Sequence, residues 1–313
     1  ERPIGCLLSG GLDSSLITAL VNKHYQGTLN TFSIGMEGSE DLKYARDVSH
    51  HLHTNHTEII LTPDEFFAAI PEVIRAIESY DTTTVRASVG NYLIGKYISE
   101  KTDIKVVFNG DGSDELTGGY LYFLKSPDAF EFDAECRRLL HDIHFFDILR
   151  SDRCIAAHGL EPRTPFLDRT FVNEYLNIPL CLRFPRLLSS HSPHEQPLCE
   201  KMLLREAIIS NDDEHLLPEY IIHRKKEAFS DGVSGNSGSW FSIIGDKVKN
   251  YELTSHDITN IEHNTPKTKE QLYYRKIYDS FYPNTAKSIP YFWMPRYVNA
   301  KDASARTLDF YNS

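Results

Sequence analysis

Short β-like runs alternate with helix-like segments along the first third of the chain, and this alternation is the feature that most limits the folds open to the chain. The runs are at 4–8, 31–35, 55–61 and 105–109. Parallel strands require helical crossovers of this kind, whereas antiparallel strands can be joined by tight turns. The pattern predicts an α/β fold, with a doubly wound, mostly parallel sheet and helices on both faces.

After about residue 115 the strand signal fades, and the sequence predicts a largely helical C-terminal part. We expect a nucleotide-binding α/β core at 1–125, a helical part that completes the site at 126–235, and a packed tail at 236–313. The segment 230–239 is predicted to be a hinge or flexible loop. Apolar spacing predicts helices at 13–24, 41–52, 63–79, 87–100, 132–149, 169–176 and 198–210, with a surface loop at 179–197.

Composition excludes several classes of protein. Of the 313 residues 41% are hydrophobic, and no apolar run approaches the roughly 18 residues of a membrane span. The net charge of −11, without a basic stripe, argues against a nucleic-acid partner. The five cysteines have no metal-ligand spacing and are expected to be reduced in a cytoplasmic protein. Because the chain begins at Glu1, we expect it to be a piece of a longer protein.

The segment Ser9-Gly-Gly-Leu-Asp-Ser14 lies between a predicted strand and a predicted helix. Glycines let backbone N–H groups approach an anion, and a helix N-terminus adds positive potential. The loop has no lysine and is therefore not a Walker A loop. Asp13 would repel phosphate unless a cation lay between them, so the loop predicts magnesium pyrophosphate rather than bare phosphate.

A second acidic turn, Asn109-Gly-Asp-Gly-Ser-Asp-Glu115, follows the strand at 105–109. Read alone, it is equally consistent with a solvated helix start. Because the carboxyl ends of parallel strands share one edge of a sheet, both turns can flank one crevice, which favours Asp114 as a second magnesium ligand. Lys226, in a basic segment at 223–229, is distant in the sequence but could be brought in to neutralise phosphate, although most basic clusters of this kind are solvated surface.

Two further segments carry polar side chains. Asp81-Thr-Thr-Thr-Val-Arg86 combines hydroxyl groups with a guanidinium suited to a carboxylate, although helix capping by a threonine is the better explanation when the segment is read alone. His50, His51, His53 and His56 do not share one helical face, so we expect a solvated helix end rather than a metal site.

Taken together, these stretches resemble a known family. "LLSGGLDSS" is similar to the pyrophosphate loop of the N-type ATP pyrophosphatases, which are adenine nucleotide alpha-hydrolase-like in fold. The rest of the chain resembles the synthetase domain of the glutamine-hydrolysing asparagine synthetases. The stretches that carry this second resemblance are "TFSIGMEGSEDLKYARDVSHHL" (31–52), "YDTTTVRASVGNYLIGKYI" (80–98), "VVFNGDGSDELTGGYLYF" (106–123), "AAHGLEPRTPFLD" (156–168), "KKEAFSDG" (225–232), "NTPKTKEQLYYRKIY" (264–278) and "WMPRYVNAKDASARTL" (293–308).

The resemblance implies that ATP activates aspartate as β-aspartyl-AMP, which ammonia converts to asparagine with release of AMP and pyrophosphate. It implies catalytic roles for Asp111 and Lys226 and magnesium ligands at Asp13 and Asp114. ATP-binding positions matched by the resemblance are Leu8, Ser9, Gly10, Gly11, Asp13, Ser14, Ile34, Asn109 and Gly110. Positions matched to aspartate binding are Thr83, Thr84 and Arg86.

The chain departs from the family pattern in three ways. Asp111 stands where the family has glutamate, and Asn109 stands where it has serine. The run "HRKKEAF" replaces a Trp-Arg-Pro-Lys-Glu-like segment. A carboxylate retracted by more than roughly 1 Å can cost about a hundredfold in rate.

Nothing in the sequence resembles the family's glutaminase domain with its N-terminal cysteine, and Cys6 is expected to be buried in the first strand. This chain would use free ammonia, or ammonia from a glutaminase domain or subunit. A homo-oligomer is compatible with the sequence. The alternatives are a non-catalytic or weakened ATP-binding module, and a β-lactam-synthetase-like relative, which the segment at 81–86 disfavours.

Overall fold

A computed structural model describes residues 2–185, 200–210, 216–227, 229–236, 238–251 and 261–304. Five strands in this part of the chain form one sheet of order β3-β2-β1-β4-β5, and every pairing is parallel. The predicted α/β class is therefore confirmed. The strands are β1 (Ile4–Leu7), β2 (Asn30–Gly35), β3 (Asn55–Ile60), β4 (Val106–Phe108) and β5 (Glu161–Arg163).

Helices cover both faces of this sheet, as expected for parallel strands. On one face, Leu8 packs in a core with Leu16 and Val48. On the other face, Phe32 and Val107 belong to a second core that extends into the C-terminal part. The helices are α1 (Leu12–His24), α2 (Glu40–Leu52), α3 (Pro63–Ala68), α4 (Ile70–Ile77), α5 (Thr82–Lys101), α6 (Ser113–Thr117), α7 (Ala129–Asp142), α8 (Arg169–Asn177), α9 (Leu180–Arg183), α10 (Met202–Ser210), α11 (Glu219–Ile222), α12 (Phe229–Gly232), α13 (Trp240–Val248) and α14 (Lys269–Phe281).

The strand order reverses beside β1, and this reversal determines where a ligand can bind. From β1 the chain adds β2 and β3 on one side, and it later adds β4 and β5 on the other. Connections that leave adjacent strands in opposite directions open a crevice at the carboxyl ends of those strands. The loops that follow β1 and β4 both lie at this crevice.

The edge strand β5 was not predicted, because Pro162 at its centre argues against a strand and both of its other residues are charged. An edge position tolerates proline, because one side of the strand needs no partner. The carbonyl of Arg163 accepts a hydrogen bond from the Asn109 backbone at 3.0 Å, and this bond anchors the start of the second acidic turn.

The helix α5 begins at Thr82, five residues before the predicted start. Asp81 caps it by accepting a hydrogen bond from the Thr84 backbone N–H at 2.9 Å. The segment 81–86, which separates the predicted helices at 63–79 and 87–100, is therefore itself helical from Thr82 onward, and Thr83, Thr84 and Arg86 lie in the first turns of a buried helix.

The predicted flexible loop at 230–239 is also wrong for the residues that the structure describes there. Val233 and Ser234 are buried, and the Val233 carbonyl accepts a hydrogen bond from Met36 N at 2.9 Å. A Cβ on Gly232 would lie 2.2 Å from an oxygen of Asp41, so this glycine permits close packing rather than flexibility.

Other differences are smaller. The helix predicted at 63–79 is divided into α3 and α4, and α7 ends at Asp142, after which 3₁₀ and π-helical turns follow. The predicted helix at 198–210 begins at Met202. The predicted surface loop at 179–197 begins with α9, and from residue 186 onward it lies outside the described residues. No helix of the described residues is long and apolar enough to cross a membrane.

Of the four histidines at the end of α2 and in β3, only His56 is substantially covered. His50, His51 and His53 are exposed, whereas the His56 ring nitrogens contact the hydroxyls of Thr31 (2.9 Å) and Ser33 (3.0 Å). No group of three potential metal ligands occurs within the described residues. Burial lowers the pKa of His56 from 6.5 to about 4, because it disfavours the imidazolium.

This shift predicts acid destabilisation. Because the folded state binds a proton at His56 less readily than the unfolded chain does, neutral His56 contributes to the free energy of unfolding. This contribution is complete above pH 6.5 and is lost as the pH falls to about 4. The loss should amount to roughly 2–3 kcal/mol. Urea titrations across this range should show a smaller pH dependence for His56→Gln than for the wild type. The exposed control His53→Gln should keep the wild-type slope; equal slopes for all three proteins would contradict the assignment.

Candidate nucleotide and metal site

A single pocket at the carboxyl ends of β1 and β4 collects almost all of the residues singled out in the sequence. Its lining includes Leu8, Ser9, Gly11, Asp13, Ser14, Ile34, Thr83, Thr84, Arg86, Asn109, Gly110, Asp111, Asp114 and Lys226. Gly10 is not part of the lining. Its φ is +72°, and a Cβ there would lie 2.4 Å from the backbone of Tyr44, so glycine is required for the loop to pass α2.

The loop after β1 presents donors around the start of α1. The Ser9 and Ser14 hydroxyls are 3.0 Å apart, and Ser14 Oγ donates to the Gly11 carbonyl. Among the described residues, no side chain caps the first turn of α1. Its backbone N–H groups are therefore available to an anion, and the helix dipole favours one there.

The loops that follow β1 and β4 touch each other. A Cβ on Gly110 would lie 2.8 Å from Ser14 N and 2.9 Å from the Asp13 backbone, so a side chain would separate the loops. Ser113 at the start of α6 donates a hydrogen bond to Asp13 Oδ1 at 2.7 Å. Residues 100 positions apart thus form one surface.

Two carboxylates and two lysines form the charged centre of this surface. Lys201 Nζ lies 2.5 Å from both Asp13 Oδ2 and Asp114 Oδ1. Lys226 Nζ contacts Asp114 Oδ2 and lies 4.0 Å from Asp13 Oδ2. Because one ammonium nitrogen already joins the two carboxylates, they are close enough to share a single cation.

Burial and ion pairing shift the pKa values of Asp114 and Lys226 in opposite directions. Burial alone would raise the pKa of Asp114, but the ammonium groups of Lys201 and Lys226 lower it below its usual value. Burial would lower the pKa of Lys226, and Asp114 together with Asp13 raises it above the ordinary value instead. Both side chains therefore stay charged near neutral pH, and they neutralise each other.

These carboxylates fit a magnesium ion. Mg²⁺ favours carboxylate oxygens at about 2 Å and is commonly held by one or two carboxylates together with phosphate oxygens. Asp13 and Asp114 are largely buried and meet at one point, where a positive charge is already accommodated. The donor set is the one expected for a metal-bound polyphosphate.

Lys201 was missed in the sequence. It lies just before α10, in a segment whose apolar spacing predicts only a helix, and its left-handed backbone (φ +57°) turns the chain there. The side chain is buried against Asp13 and Asp114, 188 and 87 positions away. No local pattern of residue types could have shown this pairing.

A buried pair, Arg205 and Glu200, holds the basic segment in place. The guanidinium of Arg205 donates to the carbonyls of Ile222 and Arg224, and to Glu200 Oε1 at 2.5 Å. The same Glu200 oxygen accepts the Lys226 backbone N–H at 3.2 Å. Lys226 therefore reaches the carboxylates from a fixed backbone.

Arg224 joins this segment to the loop that follows β1. It donates to the Ser9 carbonyl (3.3 Å) and to Asp41 (2.8 Å), and it stacks at 4.0 Å over the ring of Tyr44. Burial raises the pKa of Asp41 to about 6, although Arg224 opposes that shift.

The second acidic turn places Asp111 against a π-helical turn, Arg150–Ile155. Arg150 donates to Asp111 Oδ1 at 2.9 Å, and Ser151 Oγ donates to Oδ2 at 2.5 Å. Burial raises the pKa of Asp111; Arg150 opposes this shift and Asp147 adds to it. Neither Arg150 nor Ser151 was singled out in the sequence.

Arg86 is buried and paired within the protein. Its guanidinium forms two hydrogen bonds to Glu270 (2.7 and 2.6 Å) and two to Asp302 (2.7 and 3.0 Å). Thr84 Oγ1 donates to Asp81 at 2.8 Å, whereas the buried Thr83 hydroxyl has no hydrogen-bond partner among the described residues. The aspartate-binding roles of Thr83, Thr84 and Arg86 stay predictions.

A family model described as asparagine synthase matches residues 1–134 and 125–303 of the chain. The chain is 47% identical over 321 residues to asparagine synthetase [glutamine-hydrolyzing] of Gallus gallus and 46% identical to that of Homo sapiens. In both cases the alignment covers 100% of this chain and 55% of the relative. The chain therefore spans about half the length of the curated relatives it matches.

Among solved structures, the chain is similar to a predicted subunit of tRNA methyltransferase from Methanocaldococcus jannaschii. The similarity has a TM-score of 0.32 and 14% identity, and it covers 56% of this chain and 74% of that one.

The pairing at Lys201 predicts a metal-dependent stability. In the absence of magnesium, Lys201→Met should unfold at a lower temperature than the wild type, because two buried carboxylates lose a shared cation. Losing that cation costs about 3 kcal/mol. Mg²⁺ should restore part of the loss by taking the place of the ammonium. Thermal unfolding with and without Mg²⁺ measures both effects.

The matched control is Lys247→Met, which removes an ion pair with the exposed Asp64. Its unfolding temperature should change little and should not respond to magnesium. If Mg²⁺ stabilises Lys201→Met no more than it stabilises the control, Asp13 and Asp114 do not form a metal site.

Proposed function

The chain belongs to the asparagine synthase family, and from this membership we propose that it amidates aspartate to asparagine at the expense of ATP. In the proposed reaction an aspartate β-carboxylate oxygen attacks the α-phosphorus, and pyrophosphate leaves. Ammonia then attacks the β-aspartyl-AMP carbonyl, and AMP is released. The observation that carries this proposal is the pair Asp13 and Asp114, joined by lysines at the carboxyl ends of β1 and β4.

The charged centre is suited to the departure of pyrophosphate. Bound between Asp13 and Asp114, magnesium would offset the charge of the phosphates. The N–H groups at the start of α1 and the hydroxyls of Ser9 and Ser14 would hold the phosphate oxygens. Lys226, and with it Lys201, would move from the carboxylates toward the phosphates, because each ammonium can follow the larger negative charge.

The adenosine would lie against the buried side of the pocket. Leu8 and Ile34 line the pocket with 1% and 2% of their surface exposed. Both side chains are packed in the hydrophobic core, so the backbone N–H and C=O groups of these residues are the ones available to the nucleoside. Asn109 and Gly110 would approach it from the loop that follows β4.

We propose that aspartate binds at the start of α5. The Thr83 hydroxyl is buried without a protein partner, which is costly unless a ligand supplies one. Arg86 lines the same pocket and could bind a substrate carboxylate by giving up one of its two acidic partners, Glu270 or Asp302. Asp111, with its raised pKa, would accept a proton from the attacking nitrogen.

Ammonia is the nitrogen donor for these 313 residues in this proposal. The longer relatives are named glutamine-hydrolyzing. Cys6 cannot act as a glutaminase nucleophile here, because it is fully buried in β1 and burial raises the pKa of its thiol to about 12. Glutamine-derived ammonia would require a glutaminase domain or subunit. A cytoplasmic location and a homo-oligomer remain expectations.

A pyrophosphate assay tests this function. Pyrophosphate release should require ATP, Mg²⁺ and aspartate, and asparagine should form only when ammonium is also present. Asp114→Asn should reduce the rate at least about a hundredfold, since it removes a metal ligand and leaves Lys201 and Lys226 less well paired.

Asp64→Asn changes a carboxylate whose side chain is 80% exposed, and it should leave the rate unchanged. Nucleotide binding without turnover on any amino acid would instead identify a non-catalytic ATP-binding module, the outcome that the shorter Asp111 would favour.

A further inference from the structure

The Asp111 carboxylate belongs to a closed ring of hydrogen bonds. Asn109 Nδ2 donates to Ser151 Oγ at 2.5 Å, and Ser151 Oγ donates to Asp111 Oδ2 at 2.5 Å. The Asp111 backbone N–H then donates to Asn109 Oδ1 at 3.2 Å. The side chains of Asn109, Ser151 and Asp111, together with the Asp111 backbone N–H, thus form one closed ring of hydrogen bonds.

The chemistry of the three groups fixes the direction of this ring. An ionised carboxylate only accepts hydrogen bonds, so the single hydroxyl proton of Ser151 must go to Asp111. The Ser151 oxygen can then accept only from the amide of Asn109. Reversing that amide would place its NH₂ group against the Asp111 N–H, and both contacts would be lost. Each donor therefore has one acceptor.

The ring is buried and anchored at both ends. Asn109 and Ser151 are 4% and 1% exposed. The Asn109 backbone is held by the Arg163 carbonyl of β5, and Ser151 lies in the π-helical turn. Turns of this kind are frequent at functional sites. In a low-dielectric setting such a chain of hydrogen bonds strengthens each of its members.

We propose that Asn109 and Ser151 are positioning residues that hold the Asp111 carboxylate for the reaction, and that they are matched to the length of an aspartate side chain. The proposal rests on the proposed function. Asn109 and Asp111 are also the two positions in this turn at which the sequence departs from the family it resembles, and both contact Ser151.

The fit leaves no room for a longer acid. With Ser151 Oγ already 2.5 Å from Asp111 Oδ2, a glutamate at this position would push its carboxylate into the Ser151 hydroxyl or turn it away. Arg150 holds the other oxygen and also contacts Asp147 at 2.5 Å, so the carboxylate cannot slide sideways. Lys226 contributes positive charge from the opposite segment.

A mutant cycle tests this positioning. Ser151→Ala should lower kcat about ten- to a hundredfold while KM for ATP stays within about twofold, because displacing a reacting group slows the chemistry without weakening nucleotide binding. Asp111→Glu should lower kcat to a similar degree. The double variant should be at least about tenfold faster than Asp111→Glu alone, because the missing hydroxyl makes room for the longer side chain.

Ser49→Ala is the matched control. Ser49 is a buried serine whose hydroxyl is also hydrogen-bonded, to Thr54, but it does not line the pocket. This variant should keep the wild-type kcat. The positioning role is wrong if Ser151→Ala leaves kcat unchanged or raises KM for ATP by as much as it lowers kcat. It is also wrong if the kcat of the double variant is reduced by the product of the two single-variant reductions.

A second readout separates this proposal from the proposed function. If the wild type releases no pyrophosphate, the proposed function fails, and the ring is then judged by the Tm of Ser151→Ala, Asp111→Ala and their combination. The two Tm changes should not add, because both substitutions break the same contact. Additive changes would overturn the proposal even in an inactive protein.

Discussion

The approach of two buried carboxylates, Asp13 and Asp114, is the interaction on which the site depends. Two carboxylates that contact the same ammonium nitrogen repel each other strongly where water is scarce. The loops that carry them could not meet without cations between them. Lys201 and Lys226 supply that charge. The helical part of the chain is thereby tied to the sheet by the same contacts that form the binding site.

The geometry of the backbone makes this approach possible. Strand order reverses beside β1, so the loops that follow β1 and β4 leave a crevice between them. Gly110 lets those loops touch, and Gly10 lets the first loop pass α2. A larger residue at either position would separate the carboxylates or distort the loop that follows β1. The pairing of Asp13 with Asp114 thus depends on backbone contacts as much as on the charged side chains.

The sequence predicted the sheet well where the local signal was strong. The four runs that became β1 to β4 were recognised. Strands β1 and β4 have the continuous apolar sequence of strands inside a parallel sheet. The edge strand β3, Asn-His-Thr-Glu-Ile-Ile, was recognised only as an extended run between two helical patterns. The edge strand β5 was missed, since its short Glu161-Pro-Arg163 sequence has no such signal. Similarly, the glycines and serines of 230–239 suggested flexibility, but Gly232 allows close packing on α2, and Gly235 allows it on the residues that follow β2.

By itself, the sequence determined the loops that follow β1 and β4, and it predicted that their acidic residues need a cation. Strand, turn and helix signals are local, and parallel strands bring their carboxyl ends to one edge. Only the tertiary structure decided that Lys201 joins the two carboxylates, that Arg205 and Glu200 fix Lys226, and that Ser151 holds Asp111. Lys201 lies 188 positions from Asp13, Ser151 lies 40 positions from Asp111, and Glu200 lies 26 positions from Lys226. No spacing rule relates side chains that meet only after the helical part has folded onto the sheet.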